Sequence, residues 1–276
     1  MNRSSLSDNA TGRPIRPLLA AVLAAFTLGA CSNTGNVASS ADAEGLLKAS
    51  AAAAQAVTLS DADVMQLADK SCAEMDGKAK LAPPKGKAAQ RLARLVKGMP
   101  KEVEGVALNY KVYETKEINA WAMNNGCVRV YSGLMEKMND NELRGVIGHE
   151  IGHVALGHSK KAMQVAYAAG AARQAAASAG NSAVAALSAS EIGDLAEKLV
   201  NAQFSQAQET AADDYAFDLL TAAKMRRDGL VTAFEKLAKL GDNSSMLSSH
   251  PASSERAQHI RDRLAAEKTA GKLAKP

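Results

Sequence analysis

The fifteen residues Asn139-Asp140-Asn141-Glu142-Leu143-Arg144-Gly145-Val146-Ile147-Gly148-His149-Glu150-Ile151-Gly152-His153 read as the start and body of one helix. Asn139 with Glu142 three residues on is a capping pair, and Leu143, Val146 and Ile147 supply an apolar face. His149 and His153 are four apart, so they differ by about 40° in azimuth and about 6 Å along the axis. Both imidazoles therefore lie on one face and can grip a single ion. Glu150 beside them can reach a water bound there. With 5 His in 276 residues, a random chain of this composition would show the pattern on the order of 0.005 times. The spacing points to metal-assisted hydrolysis.

Zinc, one ion per chain, needs a third protein ligand and an open position. His158 is nine residues from His149, half a turn out of phase, and Gly157 weakens the helix before it. It is therefore expected to be structural and to point away from the ion unless the helix has already ended. Glu209 is the better candidate, because Asp213 follows one turn later on the same face. A zinc-bound histidine needs an acceptor for its free N–H, and Asp213 can supply it. Asp214 is about 140° further round and a poorer choice.

Outward from this helix, Val106, Leu108, Tyr110 and Val112 alternate as a strand. Ile118–Met123 and Cys127–Tyr131 read as two more, joined through Asn124-Asn125-Gly126, a hairpin-type turn. The rest reads as helical. Ser60 caps a helix to about Met75, and a second follows Pro83-Pro84 with Leu92, Leu95 and Val96 on one face. Others are expected over Leu195–Lys224, Leu230–Leu240 and Ser253–Glu267. Lys85, Lys87, Arg91, Arg94 and Lys97 stud the second helix's other side. They read as a solvated face, with anionic lipid headgroups the alternative. Lys161–Ser190 is rich in Ala, Gly and Ser and less hydrophobic than a membrane span.

Arg13 and Arg16 precede an uncharged run from Pro17 to Ala30. As a helix it would rise about 21 Å, short of the roughly 30 Å that spans hydrocarbon. It ends Leu28-Gly29-Ala30-Cys31, which resembles the bacterial lipobox. That resemblance implies removal of residues 1–30, a lipid on Cys31, and, with Ser32 following, an outer-membrane lipoprotein facing the periplasm. Residues 31–57 then form the lipidated N-terminus and tether, and 58–270 a single zinc metallopeptidase domain. Cys72 and Cys127 remain, 55 apart, and in an oxidising compartment are expected to close one disulfide.

Apolar residues make up 47% and charged ones 22%, a globular composition. The net charge of +4 falls to +2 without residues 1–30, and aromatics are 4%. Neither the basic excess nor the stacking platforms of a nucleic-acid binder are present.

Further landmarks are Asn119-Ala120-Trp121-Ala122, Ser132-Gly133-Leu134-Met135 and His250-Pro251 followed by Arg256. With the two metal motifs, they resemble the zinc metallopeptidase family of the HtpX heat-shock protease and the CAAX prenyl endopeptidases. The chain is most similar to the LoiP-type outer-membrane lipoprotein branch, from about Glu104 to Leu264. The resemblance implies an α+β, mostly helical, gluzincin-like fold with a small β-sheet packed on the His149–His153 helix. It also implies endopeptidase activity on unfolded or misfolded polypeptide. Lys161–Ser190 departs from the hydrophobic spans of the membrane-embedded branches, so prenylated substrates are not expected.

The expected mechanism follows from the ligands His149, His153 and Glu209. Glu150 takes a proton from the attacking water and returns it to the leaving amine. His250 and Arg256 are the candidates for the oxyanion, because the resemblance brings that segment toward the cleft. His259 lies inside the last helix and reads as a surface residue. Gly241–Ser249 is polar and Pro251 stiffens the chain after His250. His250 is therefore also expected to hold zinc's fourth position at rest, until substrate displaces it. The competing class is a chaperone-like quality-control factor for outer-membrane proteins, with gated or rare proteolysis.

Overall fold

A computed structural model describes residues 59–171, 187–240, 244–251 and 254–273. The leader, Cys31 and the tether lie outside the described residues. Asp61–Lys78 (α1) starts at the Ser60–Asp63 capping box, and Lys87–Leu95 (α2) follows the two prolines. Glu102–Val103 (β1) and Val106–Ala107 (β2) form a small hairpin. Its two turn residues, Glu104 and Gly105, both have positive φ, the geometry of a two-residue primed turn.

Asn109–Tyr113 (β3), Ala120–Ala122 (β4) and Cys127–Tyr131 (β5) make a three-stranded sheet in the order β3-β5-β4. β3 runs parallel to β5, Asn109 opposite Cys127, and β4 runs antiparallel, Trp121 opposite Arg129. The expected first strand is thus two, β2 and β3. Ser132–Lys137 (α3) leads into Asp140–Ala155 (α4), whose Asn139–Glu142 capping box is formed.

Beyond α4 lie His158–Ala171 (α5), Ala189–Val200 (α6), Gln206–Ala222 (α7) and Asp228–Leu240 (α8). The short Met246–Ser249 (α9) and Ser254–Leu273 (α10) follow. The helix expected over Leu195–Lys224 is two. α6 stops at Asn201, and Ser205 with Gln208 forms a capping box that opens α7. That box is a start signal inside a helical pattern, and its local bonds outcompete continuation. No helix among the described residues is long and apolar enough to cross a membrane.

β5 is buried on both sides, and the period of two divides its side chains between two cores. Val112, Ala120 and Val130 face the larger core, with Leu143, Val146, Ile147 and Ile151 of α4 and Phe217 and Leu220 of α7. Tyr113, Trp121, Cys127 and Tyr131 face the smaller core, with Leu67 and Cys72 of α1 and Leu195 and Leu199 of α6. The sheet is thereby fixed against α4, the helix carrying the histidines.

Two cross-links tie α1 to this sheet. Cys72 and Cys127 are bridged, with Cα atoms 6.5 Å apart, inside the range a disulfide needs. Beside it, buried Arg129 donates from Nε and Nη2 to Asp76 at 2.7 and 2.9 Å. Its other donors go to the carbonyls of Asn109 and Val128 and to Cys72 Sγ. Lys111 Nζ and Tyr113 OH also donate to Asp76, at 2.6 and 2.9 Å.

Burial alone would raise the Asp76 carboxyl, but the bonds from Arg129, Lys111 and Tyr113 outweigh it. They hold it at about 2, below its ordinary 3.8. A depressed folded-state value means that stability is full above about pH 4 and is lost as pH falls toward 2. The loss should be on the order of 2 kcal/mol. Denaturant titrations at stepped pH should show this acid limb in the wild type. In Asp76→Asn the limb should flatten, with a cost of about 3 kcal/mol at neutral pH from leaving Arg129 buried and unmatched. A limb unchanged in the variant would assign it to other carboxylates.

Candidate metal centre

α4 ends at Ala155, two residues past its second histidine. Leu156 caps it and Gly157 turns the chain at φ 70°, a left-handed conformation that glycine adopts without strain. His149, Glu150 and His153 are all buried near that C-terminal end. Across from them, Glu209 and Asp213 are buried on the first turns of α7, and His250 on the loop after α9.

One donor atom each from His149, His153, Glu209 and His250 lies within 4.8 Å of the others. His153 Nε2 is 3.0 Å from His149 Nε2 and 3.2 Å from Glu209 Oε1. His149 Nε2 is 3.5 Å from Glu209 Oε2 and 3.2 Å from His250 Nδ1, which is itself 3.0 Å from Glu209 Oε1. A tetrahedron with bonds of about 2.0–2.1 Å has edges of about 3.3 Å, so these separations fit one small cation.

The protons say the same. Asp213 Oδ1 is 2.8 Å from His149 Nδ1 and, as a carboxylate, can only accept, so a neutral His149 carries its proton on Nδ1 and turns its Nε2 lone pair to the cluster. His153 Nδ1 faces His158 Nδ1 at 3.1 Å. A bond from His153 to His158 leaves the His153 Nε2 lone pair facing that of His149. Two lone pairs and a carboxylate aimed at one point repel unless a cation stands between them.

The surroundings hold the carboxylates charged. Burial opposes ionisation of Glu209, but the imidazoles of His153 and His250 set against it outweigh burial and keep its carboxyl well below the ordinary range. For Asp213, the bonds from Arg256 and His149 likewise overcome burial. Glu150 goes the other way. Burial raises its carboxyl, and its Oε1 has no hydrogen-bond partner among the described residues. His250 Nε2 is 3.5 Å from that oxygen.

Arg256 is buried behind the ligands. Its Nε and Nη2 donate to the two oxygens of Asp213 at 2.7 Å each, and Nη1 donates to the Pro251 carbonyl. Nη1 also lies 2.5 Å from Glu209 Oε2, and the guanidinium sits 4.3 Å from the centre of the Phe234 ring. These contacts commit the side chain to the carboxylates. Asp214 turns away from the cluster, toward His259 and Arg263.

Two neighbours bear on the sequence reading. For His158 the exception holds: α4 has already ended at Ala155, so helical phase does not apply, and the imidazole reaches His153 Nδ1 without joining the cluster. Phe204, in the turn between α6 and α7, has its ring centre 3.9 Å from that of His153 and 5.2 Å from that of His250. Its N–H donates to the Ser249 carbonyl, tying this turn to the His250 loop. The Ser205–Gln208 capping box was the available signal for that turn.

A helix carrying two histidines and a glutamate, with a further glutamate delivered from a second helix, defines a metalloprotease with a divalent metal site. A model of peptidase family M48 matches residues 86–264, and the chain belongs to that family. Metalloprotease LoiP of Escherichia coli (strain K12) is 54% identical over 255 residues, 92% of this chain and 98% of its own length. Metalloprotease YcaL of the same strain is 49% identical over 253 residues, 91% and 98%. Protease HtpX of Nitrosococcus oceani matches only a short segment, 50% identical over 50 residues and 17% of each chain.

Glu209→Ala should remove most of the bound metal, measured by elemental analysis of dialysed protein. His158→Ala, which removes only the hydrogen-bond partner of His153 Nδ1, should weaken affinity about 10- to 100-fold yet still load one ion at saturation. Equal losses from both would make His158 as important to the ion as Glu209.

Proposed function

We propose that this metalloprotease is a zinc-dependent endopeptidase that hydrolyses unfolded or misfolded envelope polypeptides. We further propose that zinc is held by His149, His153 and Glu209, with Asp213 orienting His149. The protein works at the outer membrane, facing the periplasm, through a lipid on Cys31. Residues 1–30 are then removed, 31–57 act as tether, and 58–270 form the single metallopeptidase domain.

The observation that carries this reading is the convergence of the donors beside a buried glutamate whose outer oxygen has no hydrogen-bond partner among the described residues. Zinc, when bound, lowers the pKa of a coordinated water from about 15.7 toward about 7 and polarises a carbonyl. Glu150 then holds the proton taken from the attacking water at its carboxylate and passes it to the leaving amine. Its raised affinity for a proton suits both halves of that transfer. Arg256 acts through Asp213 and Glu209, as a positioning residue, and the oxyanion role falls to His250.

Substrate capture is supported by β4. Asn119 O and Met123 N bond to β5, so the groups of Ala120 and Ala122 face the sheet's outer edge. There the Ala120 N–H donates to Asn119 Oδ1, and Ser159 Oγ donates to the Ala122 carbonyl. An extended polypeptide could replace these two side-chain bonds with backbone pairing, which tolerates many sequences.

The second reading, a chaperone-like factor with gated proteolysis, is favoured by the His250 ring, which stands against Glu150 and Glu209 where a substrate carbonyl would enter. On this reading His250 takes zinc's fourth position at rest and substrate displaces it.

Glu150→Gln should retain zinc and lose cleavage of casein by at least about 100-fold, followed by mass spectrometry. Cleavage at the wild-type rate would sink the mechanism. His250→Ala should keep zinc and raise basal cleavage several-fold if the ring is a gate. A fall in turnover with zinc retained would instead assign it to the oxyanion, and no change would leave it neither role.

A further inference from the structure

We propose that the exposed face of α2 and its flanking loops is a docking surface for an anionic phospholipid bilayer. The inference stands on charge and shape at this face and does not need the metalloprotease reading. Residues 77–101 contain eight of the chain's 33 basic residues, Lys78, Lys80, Lys85, Lys87, Arg91, Arg94, Lys97 and Lys101, and no aspartate or glutamate.

Three of these are committed. Lys78 pairs with Glu74 and Lys80 with Glu114, and Arg91 turns inward to Asp140 and the carbonyls of Met135 and Met138. The other five are exposed, and none has a carboxylate partner among the described residues. Lys87 and Arg94 lie about 20° apart around α2 and share one outward arc, and Lys97 is exposed just past the end of the helix. The opposite side of α2 is anchored by buried Leu92 and Leu95. A solvated helix face ordinarily mixes signs and pairs them, as the exposed Arg261–Glu235 and Arg263–Asp218 contacts of α10 do here.

Apolar surface adjoins the charge. Lys97 and Lys101 bracket Gly98, Met99 and Pro100, which line a largely apolar groove of about 540 Å³ with Tyr215, Leu219 and Ala222 of α7 and with Asp218, whose carboxylate is paired with Arg263. Leu81, at the other end of the segment, is among the few exposed large hydrophobic side chains. Unpaired cations beside an apolar groove match an amphiphile, charged at the headgroup and apolar below it. A soluble polyanion would use the charge and leave the groove unused.

The position is compatible with catalysis. Arg91 bonds to the first residue of α4, so α2 sits at that helix's N-terminal end. His149 and His153 lie about 14 and 20 Å further along the axis.

The test compares full-length wild type with K87A/R94A/K97A, so any hydrophobic anchor contributes equally to both. Vesicles of phosphatidylethanolamine and phosphatidylglycerol should bind the wild type on the order of 100-fold more tightly at low salt, at about fivefold per basic side chain. The difference should vanish on phosphatidylcholine vesicles and at about 0.5 M salt. As a measure free of substitutions, anionic vesicles should slow amine labelling of Lys85, Lys87, Lys97 and Lys101 several-fold, but not of Lys198 on α6. Equal binding of both proteins with no protection of these lysines would overturn the proposal. So would a difference seen with soluble polyglutamate and absent on vesicles, which would assign the face to an acidic polypeptide.

Discussion

The close crossing of α4 and α7 is the constraint on which the site depends. Gly148 lies against Ala216 and Gly152 against Ala212, so little but backbone separates the two helices. A Cβ on Gly152 would meet the Ala212 carbonyl oxygen at 2.9 Å, and one on Gly148 would meet the Ala216 Cβ at 3.3 Å. Each glycine inside a helix costs about 0.5–1 kcal/mol relative to alanine. That cost is offset by packing Leu143, Ile147 and Ile151 against Phe217 and Leu220. Because the helices touch here, Glu209 and Asp213, on either side of Ala212, arrive within bonding distance of the imidazoles. A wider crossing would leave the same side chains too far apart to share an ion.

Bringing them together concentrates charge where water is excluded. Glu150, Glu209 and Asp213 are each 2% exposed or less, and Arg256 is the one arginine bonded among them. Buried charges are tolerable only when matched and hydrogen-bonded. Arg256 satisfies both oxygens of Asp213 and leans on Glu209, while the His250 ring faces Glu150 and Glu209. The same contacts explain why Arg256 is enclosed beside Phe234 instead of facing the cleft: its charge is needed by Asp213 and Glu209.

Much of this was legible in the sequence because it is local. The capping of α4, the four-residue histidine spacing and the one-turn relation of Glu209 to Asp213 are all fixed within a single helix. So are the β4–β5 hairpin and its Gly126 turn. What escaped reading depends on chain reversals. A periodic pattern from Leu195 to Lys224 hid the turn that begins at Asn201, and with it the Phe204 ring over His153. For His158 the exception to the phase argument applies, because the chain leaves the helix at Gly157 before phase can place it. The Arg129–Asp76 link was invisible for another reason: it joins residues 53 apart whose meeting depends on the parallel β3–β5 pairing and the seat of α1 on the sheet. No pattern within either segment encodes that.

The ends of the two crossing helices also bring backbone electrostatics to the centre. His153 is in the last turn of α4, where unsatisfied carbonyls give the helix terminus a partial negative charge. Glu209 is in the first turn of α7, where free N–H groups give a partial positive one. A cation placed between them would meet the negative end of one macrodipole, while the Glu209 carboxylate is stabilised by the positive end of the other. Side-chain replacement leaves this contribution in place, and burial limits its screening by salt. The polypeptide therefore carries part of the site's preference for a cation in the direction of its peptide bonds.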